Sequence, residues 1–300
     1  MGVGMPVLRE IEWAGAITPE RCTVLDLGPS YLHNATPADI LYFFEKYPKR
    51  PLDDRLRAVA KELAERTNPK HPLGQTFLAE VFEHTSVRYD AIDVFPGPST
   101  RLFDLNFDTV PRDMVGRYDL VLNFGTTEHV FGQYNAFKVI HEVLKFHGPV
   151  YHQLPSTGLF NHGYFKYHPR IFGELATANG YAVVELFVTE MPGHWSFEEF
   201  YTPPHNLADP TRFRETVKSL GTAAPGHANG LINAFLRKDR DGPFRLHLDY
   251  DAQVGAVNTL IAKRYGPLPA RRKGSSPVRA VKWTLRKLGV KRALQAVGLR

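Results

Sequence analysis

Short apolar runs alternate with helical patterns along most of this chain, and that alternation restricts the fold more than any other feature. Val24-Leu25-Asp26-Leu27-Gly28 is an apolar run that ends in a Gly-Pro turn, as a buried strand does. Comparable runs recur at Tyr89 to Val94, Tyr118 to Phe124, Pro149 to Leu154, Tyr181 to Val188 and Leu231 to Leu236. Helical spacing fills the gaps over about 37–47, 54–66 and 74–85. It returns in Val130, Tyr134, Phe137 and Val143-Leu144, then from Pro169 to the stop signal Asn179-Gly180. Thr36-Pro37 supplies a helix cap with proline at the first helical position. Strands alternating with helices imply βαβ units and an α/β fold with a mostly parallel sheet. A loop-rich stretch without a crossover helix, 191–229, joins the last two strands, so the final strand is expected to run antiparallel.

An apolar fraction of 43% in 300 residues is ample for a packed core. The single cysteine, Cys22, allows no intrachain disulfide and suits a reducing compartment. The first residues lack a cationic segment followed by an apolar run, and no stretch approaches the roughly 18 apolar residues that span a bilayer. The expectation is a cytoplasmic protein, peripheral to the membrane at most. Its net charge of +6 is uneven: 271–300 holds ten Lys or Arg and no acid, while 1–270 is net −4. That body is no nucleic-acid footprint. Val278, Val281, Leu285 and Leu288 share one helical face beside Arg279, Lys282 and Arg286, so the tail reads as a basic amphipathic helix. Such a helix can lie on an anionic membrane or dock on a protein partner. The chain therefore divides into a domain over 1–270, with a helical insertion at about 45–85, and the tail over 271–300.

In an open α/β sheet, ligands bind in the loops beyond the carboxyl ends of the strands. Four polar groups fall there. Asp26-Leu27-Gly28-Pro29-Ser30 follows the first strand, where glycine lets a ligand approach the backbone and an acid suits a cationic amine. Asp93 ends the second strand, where a carboxylate can accept both hydroxyls of a ribose. Phe103-Asp104-Leu105-Asn106 offers side chains that can read an adenine edge. The fourth group is Asn123-Phe124-Gly125-Thr126-Thr127-Glu128-His129, a strand running into a polar loop.

In this order the four groups resemble the motifs of the class I S-adenosylmethionine-dependent methyltransferases. Val143-Leu144-Lys145-Phe146-His147-Gly148 resembles that family's helix end before its fifth strand, and Phe172 to Leu186 its next helix, turn and strand. The similarity covers roughly 20–240 and implies a Rossmann-like sheet, S-adenosylmethionine as cofactor, and methyl transfer to oxygen or nitrogen. By that resemblance Gly28 lines the cofactor with Asp26 near its amino-acid moiety, Asp93 binds the ribose, and Asp104 lies near the adenine with Asn106. The family usually has further glycines where this chain has Gly28-Pro29-Ser30, so Ser30 stands in for a backbone contact. Asp93 follows Asp26 by 67 residues, and the surplus reads as extra helices covering the pocket; a hidden strand there would undo the ribose assignment.

On the acceptor side the resemblance places His129, whose imidazole, titrating near about 6.5, can take a hydroxyl proton. Glu128, His152 and His162 join it as candidate substrate contacts, since 152–168 follows the fifth strand. Glu128 is equally a helix start and Asp26 equally a turn-former. No pair among His129, His152, His162 and His168 has i,i+4 ligand spacing and no cysteine cluster accompanies them, so no metal is expected. A small-molecule or carbohydrate-type acceptor suits the aromatic, histidine-rich loops. Two other classes use such a sheet. A nicotinamide-dependent oxidoreductase requires a Gly-x-Gly-x-x-Gly loop, which is lacking here, and a non-catalytic module would dock through its tail.

Overall fold

The structure, a computed structural model, describes residues 2–20, 23–68, 70–71, 74–159, 162–191, 205–206 and 229–247. The chain opens with strand β1 (Gly2–Gly4) and helix α1 (Met5–Trp13). Strand β2 (Thr23–Leu27) then leads to β3 (Tyr31–His33), α2 (Pro37–Lys46), α3 (Asp54–Glu65) and α4 (Leu78–Glu83). Next come β4 (Arg88–Asp93), β5 (Thr100–Leu102), β6 (Leu120–Phe124) and α5 (Gln133–Val143). The remainder is β7 (Pro149–Thr157), α6 (Pro169–Asn179), β8 (Tyr181–Met191), β9 (His205–Asn206) and β10 (Asn229–Lys238).

One eight-stranded sheet runs in the order β5-β4-β2-β6-β7-β10-β8-β9. The pairs β4–β5, β2–β4, β2–β6 and β6–β7 are parallel. The last long strand, β10, runs antiparallel to both β7 and β8, between which it is wedged. This is a Rossmann-like sheet with the antiparallel final strand that the loop-rich connection suggested. Every residue of β2 and of β6 is buried, as expected where helices cover both faces of a parallel sheet. Successive side chains go to opposite faces. Val24, Leu122 and Tyr151 pack with Leu8, Phe43, Leu63 and Phe82 of α1 to α4. Leu25, Val121 and Val150 pack with Val139, Ile140 and Phe172 of α5 and α6.

Among its described residues the long connection from β2 to β4 holds no strand of this sheet: β2 pairs directly with β4, and the short β3 pairs with β1. Asp93 therefore ends the strand next to the one that carries Asp26. Within that connection the Thr36–Asp39 capping box starts α2, and the Asp53 carboxylate accepts Leu56 N–H at 2.8 Å to start α3. These helices pack on one sheet face, and the start of α4 reaches the end of β2, where Leu78 N–H donates to Ser30 O at 2.8 Å. Two expected boundaries move inward. The helix over about 74–85 shortens to α4, and α5 begins at Gln133 because Thr127–His129 form a tight 3₁₀ turn first. Helix α1 and edge strand β5 had no counterpart in the sequence pattern. The basic tail, 271–300, lies outside the described residues. Among the described residues no helix is long and apolar enough to cross a membrane.

Asp119 pins the opposite ends of the central strands. It accepts Thr23 N–H at 3.0 Å and the Thr23 hydroxyl, and Lys145 Nζ donates to its other oxygen at 2.9 Å. Burial raises its carboxyl, but the Thr23 and Lys145 donors outweigh that and hold it below the usual carboxylate range. A depressed native pKa means the stabilisation is present at neutral pH and is lost as pH falls through that pKa. Asp119→Ala is expected to lower stability by about 2–3 kcal/mol at pH 7 in denaturant unfolding, and by less below pH 4.

Candidate functional site

Parallel strands put the ends of β2, β4, β6 and β7 on one edge of the sheet, and most of the polar groups singled out in the sequence gather there. Asp26 is fully buried in β2. Its Oδ2 accepts Ser30 N–H at 3.1 Å and the Tyr89 hydroxyl at 2.7 Å. Its Oδ1 is buried with no hydrogen-bond partner among the described residues. Burial pushes the carboxyl up to about 6, against the pull of the Tyr89 and Ser30 hydrogen bonds. Ser30 thus meets the carboxylate through its backbone N–H and through its side chain, closing the turn that Gly28 opens.

Gly28 adopts φ +82, a region that L side chains rarely enter. A Cβ added there would lie 2.9 Å from Thr126 Oγ1 and 3.4 Å from Asp93 Oδ2, so three strand ends converge on this glycine. Gly28 N–H donates to Ile92 O at 2.8 Å, and the Thr126 hydroxyl donates to Leu27 O. Asp93 Oδ1 accepts Phe95 N–H at 3.0 Å, which turns the chain after β4. Asp104 and Asn106 form a self-contained turn. Asp104 Oδ1 accepts from Asn106 N–H at 2.8 Å and from Asn106 Nδ2 at 3.0 Å, while Asn106 Oδ1 accepts Gly132 N–H at 2.9 Å. The Asn106 amide therefore braces the loop before α5 from both of its ends.

Beyond β6, Glu128 turns its side chain wholly inward, with 0% exposed. Its Oε1 lies 3.3 Å from His162 Nε2 and 4.0 Å from His129 Nε2, and its Oε2 is buried without a partner among the described residues. Burial raises the Glu128 carboxyl to about 7 and lowers both imidazoles. The His129 and His162 rings meet edge to face, centroids 4.9 Å apart at 84°. A strap over 162–167 holds this group: Tyr164 N–H and Phe165 N–H both donate to Glu128 O, at 2.7 and 3.2 Å. The strap can sit so close because Gly163 has no side chain; a Cβ there would lie 2.7 Å from Glu128 Cγ. Lys166 Nζ turns to the His162 carbonyl.

His152 is elsewhere. It is 2% exposed, its ring lies against Phe137 and Phe172, and its Nδ1 accepts from Asn123 Nδ2 at 2.9 Å. Burial drives its pKa down to about 3, so it is a neutral core residue. The reason is register: position 152 lies within β7, facing the α5–α6 layer, whereas His162 lies beyond the strand end. Sequence reasoning passed over Tyr89 and Gly163. Tyr89 entered only as the start of a strand-like run, and nothing in a single sequence marks a glycine by what packs over it. A separate, mainly apolar cavity of about 580 Å³ opens between α5 and α6, lined by Phe137, Phe165, Ile171 and Phe244, and none of the strand-end residues lines it.

No family model matches the sequence, and no curated protein matches it. Among solved structures, the chain is similar to a SAM-dependent methyltransferase from Archaeoglobus fulgidus, at 10% identity over 76% of this chain and 92% of that one, with a TM-score of 0.38. It is also similar to the 1,6-didemethyltoxoflavin-N1-methyltransferase of Burkholderia thailandensis, with 1,6-didemethyltoxoflavin and S-adenosylhomocysteine bound. There the identity is 14% over 79% of this chain and 78% of that one, with a TM-score of 0.37. At these values neither likeness bears on activity.

Asp26 carries a test of its own. A carboxyl whose native pKa is raised to about 6 favours folding fully at pH below its unfolded value, and that advantage disappears as pH rises through the native pKa. Between pH 4 and pH 7 the unliganded protein is expected to lose about 2–3 kcal/mol of stability relative to Asp26→Asn. Parallel stability curves for the two proteins over that range would show that folding does not raise the pKa of Asp26.

Proposed function

We propose that this protein binds S-adenosylmethionine at the ends of β2, β4 and β6 and transfers its methyl group to an oxygen or nitrogen of a small-molecule or carbohydrate-type acceptor. One observation carries the cofactor assignment: Asp26 keeps a buried oxygen without a partner among the described residues, two positions before a glycine that has no room for a side chain. A cationic amine offers the donor that Asp26 Oδ1 lacks, and its charge compensates a buried carboxylate. Gly28 lets the ligand reach the backbone, with Asp93 Oδ2 on its far side for a pair of ribose hydroxyls. Asp104 and Asn106 then border the adenine end.

The cofactor's chemistry is transfer of an activated methyl: the acceptor's lone pair forms the new bond to carbon as the carbon–sulfur bond breaks, leaving its electrons on sulfur. The protein's own part is in-line positioning and removal of the acceptor's proton. His129 is the catalytic residue of this reading, the group beside which the acceptor loses that proton. Its side chain is 47% exposed, whereas Glu128 behind it is closed off from solvent. Phe131 and Tyr164, exposed and in ring contact at 6.1 Å, rim this group and suit a ring-bearing acceptor. The basic segment 271–300 is assigned, on its sequence alone, to docking on an anionic membrane surface or a partner; its deletion should leave cofactor binding intact.

Calorimetric titration with S-adenosylmethionine, S-adenosylhomocysteine and NAD decides the class. Binding of the first two and not of NAD is expected; binding of NAD alone would make this an oxidoreductase, and binding of none would leave a module without cofactor. Asp93→Ala should weaken S-adenosylhomocysteine by about 1.5–3 kcal/mol, as when hydrogen bonds to a charged group are lost. Unchanged affinity in the folded variant removes Asp93 from the site. For His129→Asn, cofactor affinity should be unchanged, while release of S-adenosylhomocysteine over a panel of hydroxyl and amine acceptors should fall at least about a hundredfold.

A further inference from the structure

We infer that Glu128, His129 and His162 together bind one divalent transition-metal ion. The ligand atoms of these three side chains, one from each, all lie within 4.8 Å of one another. A tetrahedral ion with bonds of about 2.0–2.2 Å holds its ligands about 3.3–3.6 Å apart. Glu128 Oε1 and His162 Nε2 already have that separation, at 3.3 Å. His129 Nε2, at 4.0 Å from the same oxygen, belongs to the most exposed of the three side chains and closes the remaining gap by a small ring rotation. Two imidazoles and one carboxylate suit zinc, manganese, iron or cobalt rather than magnesium or calcium, which prefer oxygen. Three protein ligands leave positions open for water or substrate, as in catalytic rather than structural sites.

A second observation points the same way. Glu128 Oε2 is buried with no partner among the described residues, on a side chain with 0% exposure. An orphaned carboxylate oxygen in such a place is costly, and a cation held by both oxygens of the Glu128 carboxylate supplies the missing partner. The scaffold around it is rigid where a ligand set needs rigidity. Gly163 lets the strap approach Glu128, two backbone N–H groups clamp the Glu128 carbonyl, and Lys166 spends its charge on the His162 carbonyl.

The site stands on these contacts, whereas its role rests on the methyl-transfer reading. There the ion takes the acceptor hydroxyl as a ligand and lowers its pKa, as zinc does for water. The proton leaves to solvent, the oxygen forms its bond to the methyl carbon, and the carbon–sulfur electron pair stays on sulfur. His129 then acts on the acceptor through the ion that it holds.

The test uses the full chain, stripped with a chelator and titrated with Co²⁺, followed by visible absorption and by calorimetry. The expected result is one ion per chain, with the ligand-field bands of a four- or five-coordinate site, displaced by Zn²⁺. Glu128→Gln and the double variant His129→Ala/His162→Ala should each weaken Co²⁺ by at least roughly 10–100-fold, and His71→Ala should not. Glu128→Gln removes a buried charge and so keeps the fold testable. Absence of stoichiometric binding, or equal binding by wild type and both site variants, overturns the inference. Because metal-free protein serves for the S-adenosylmethionine titration, a failed cofactor and a failed metal are read separately.

Discussion

A parallel sheet buried on both faces leaves its polar chemistry one place to go, and the rest of this structure follows from that constraint. β2 and β6 offer no exposed face. Their ends are therefore where a backbone must turn, where N–H groups lose their ladder partners, and where a ligand can meet them. Asp26 is the exception that shapes the edge. It is a carboxylate inside β2, held by Tyr89 from the neighbouring strand and by Ser30 N–H from its own turn. Those contacts fix the path of Gly28 between Thr126 and Asp93. A hydrophobic residue at position 26 would remove a desolvation cost and, with it, the anchor for the turn.

The architecture was legible because its signals are local. Apolar runs of strand length, the Thr36-Pro37 cap and the Asn179-Gly180 stop each act within a few residues. Gly180 does take the left-handed cap, at φ +68. What escaped were elements that have no period of their own. β5 is three residues long and exists through its pairing with β4, and α1 begins at the fifth residue without a side-chain cap. The antiparallel β10 was inferred from a connection, not from its own residues, which read as any buried strand would.

The candidate site was legible only in part, for a related reason. Asp26, Gly28 and Asp93 sit at strand ends, and strand ends can be counted. His129 and His162 are 33 positions apart, so no helical spacing links them. Their meeting depends on the strap over Glu128, which depends in turn on Gly163. Likewise, His152 has the same residue type as His162 and shares with it, by sequence, the stretch after the fifth strand, yet β7 runs on to Thr157, so position 152 keeps a strand register facing the α5–α6 core while position 162 lies beyond the edge. Spacing rules read ligand pairs that share an element; they are silent about pairs made by tertiary folding.

The two buried carboxylates invite comparison. Asp26 belongs to β2, and Glu128 follows the adjacent strand β6. Each keeps one oxygen without a partner among the described residues. Folding alone gains nothing from either oxygen, since an apolar side chain or an amide with its partners satisfied would be less costly to bury. Donors are not scarce nearby: Lys166 turns its ammonium to a carbonyl, and the Tyr89 hydroxyl goes to the other oxygen of Asp26. The chain thus has the means to neutralise these groups and leaves them open. One orphan oxygen belongs to the strand that leads into the Gly28 turn, and the other to the carboxylate whose Oε1 faces His129 and His162, so both mark this edge of the sheet as a place where a cation would be stabilising.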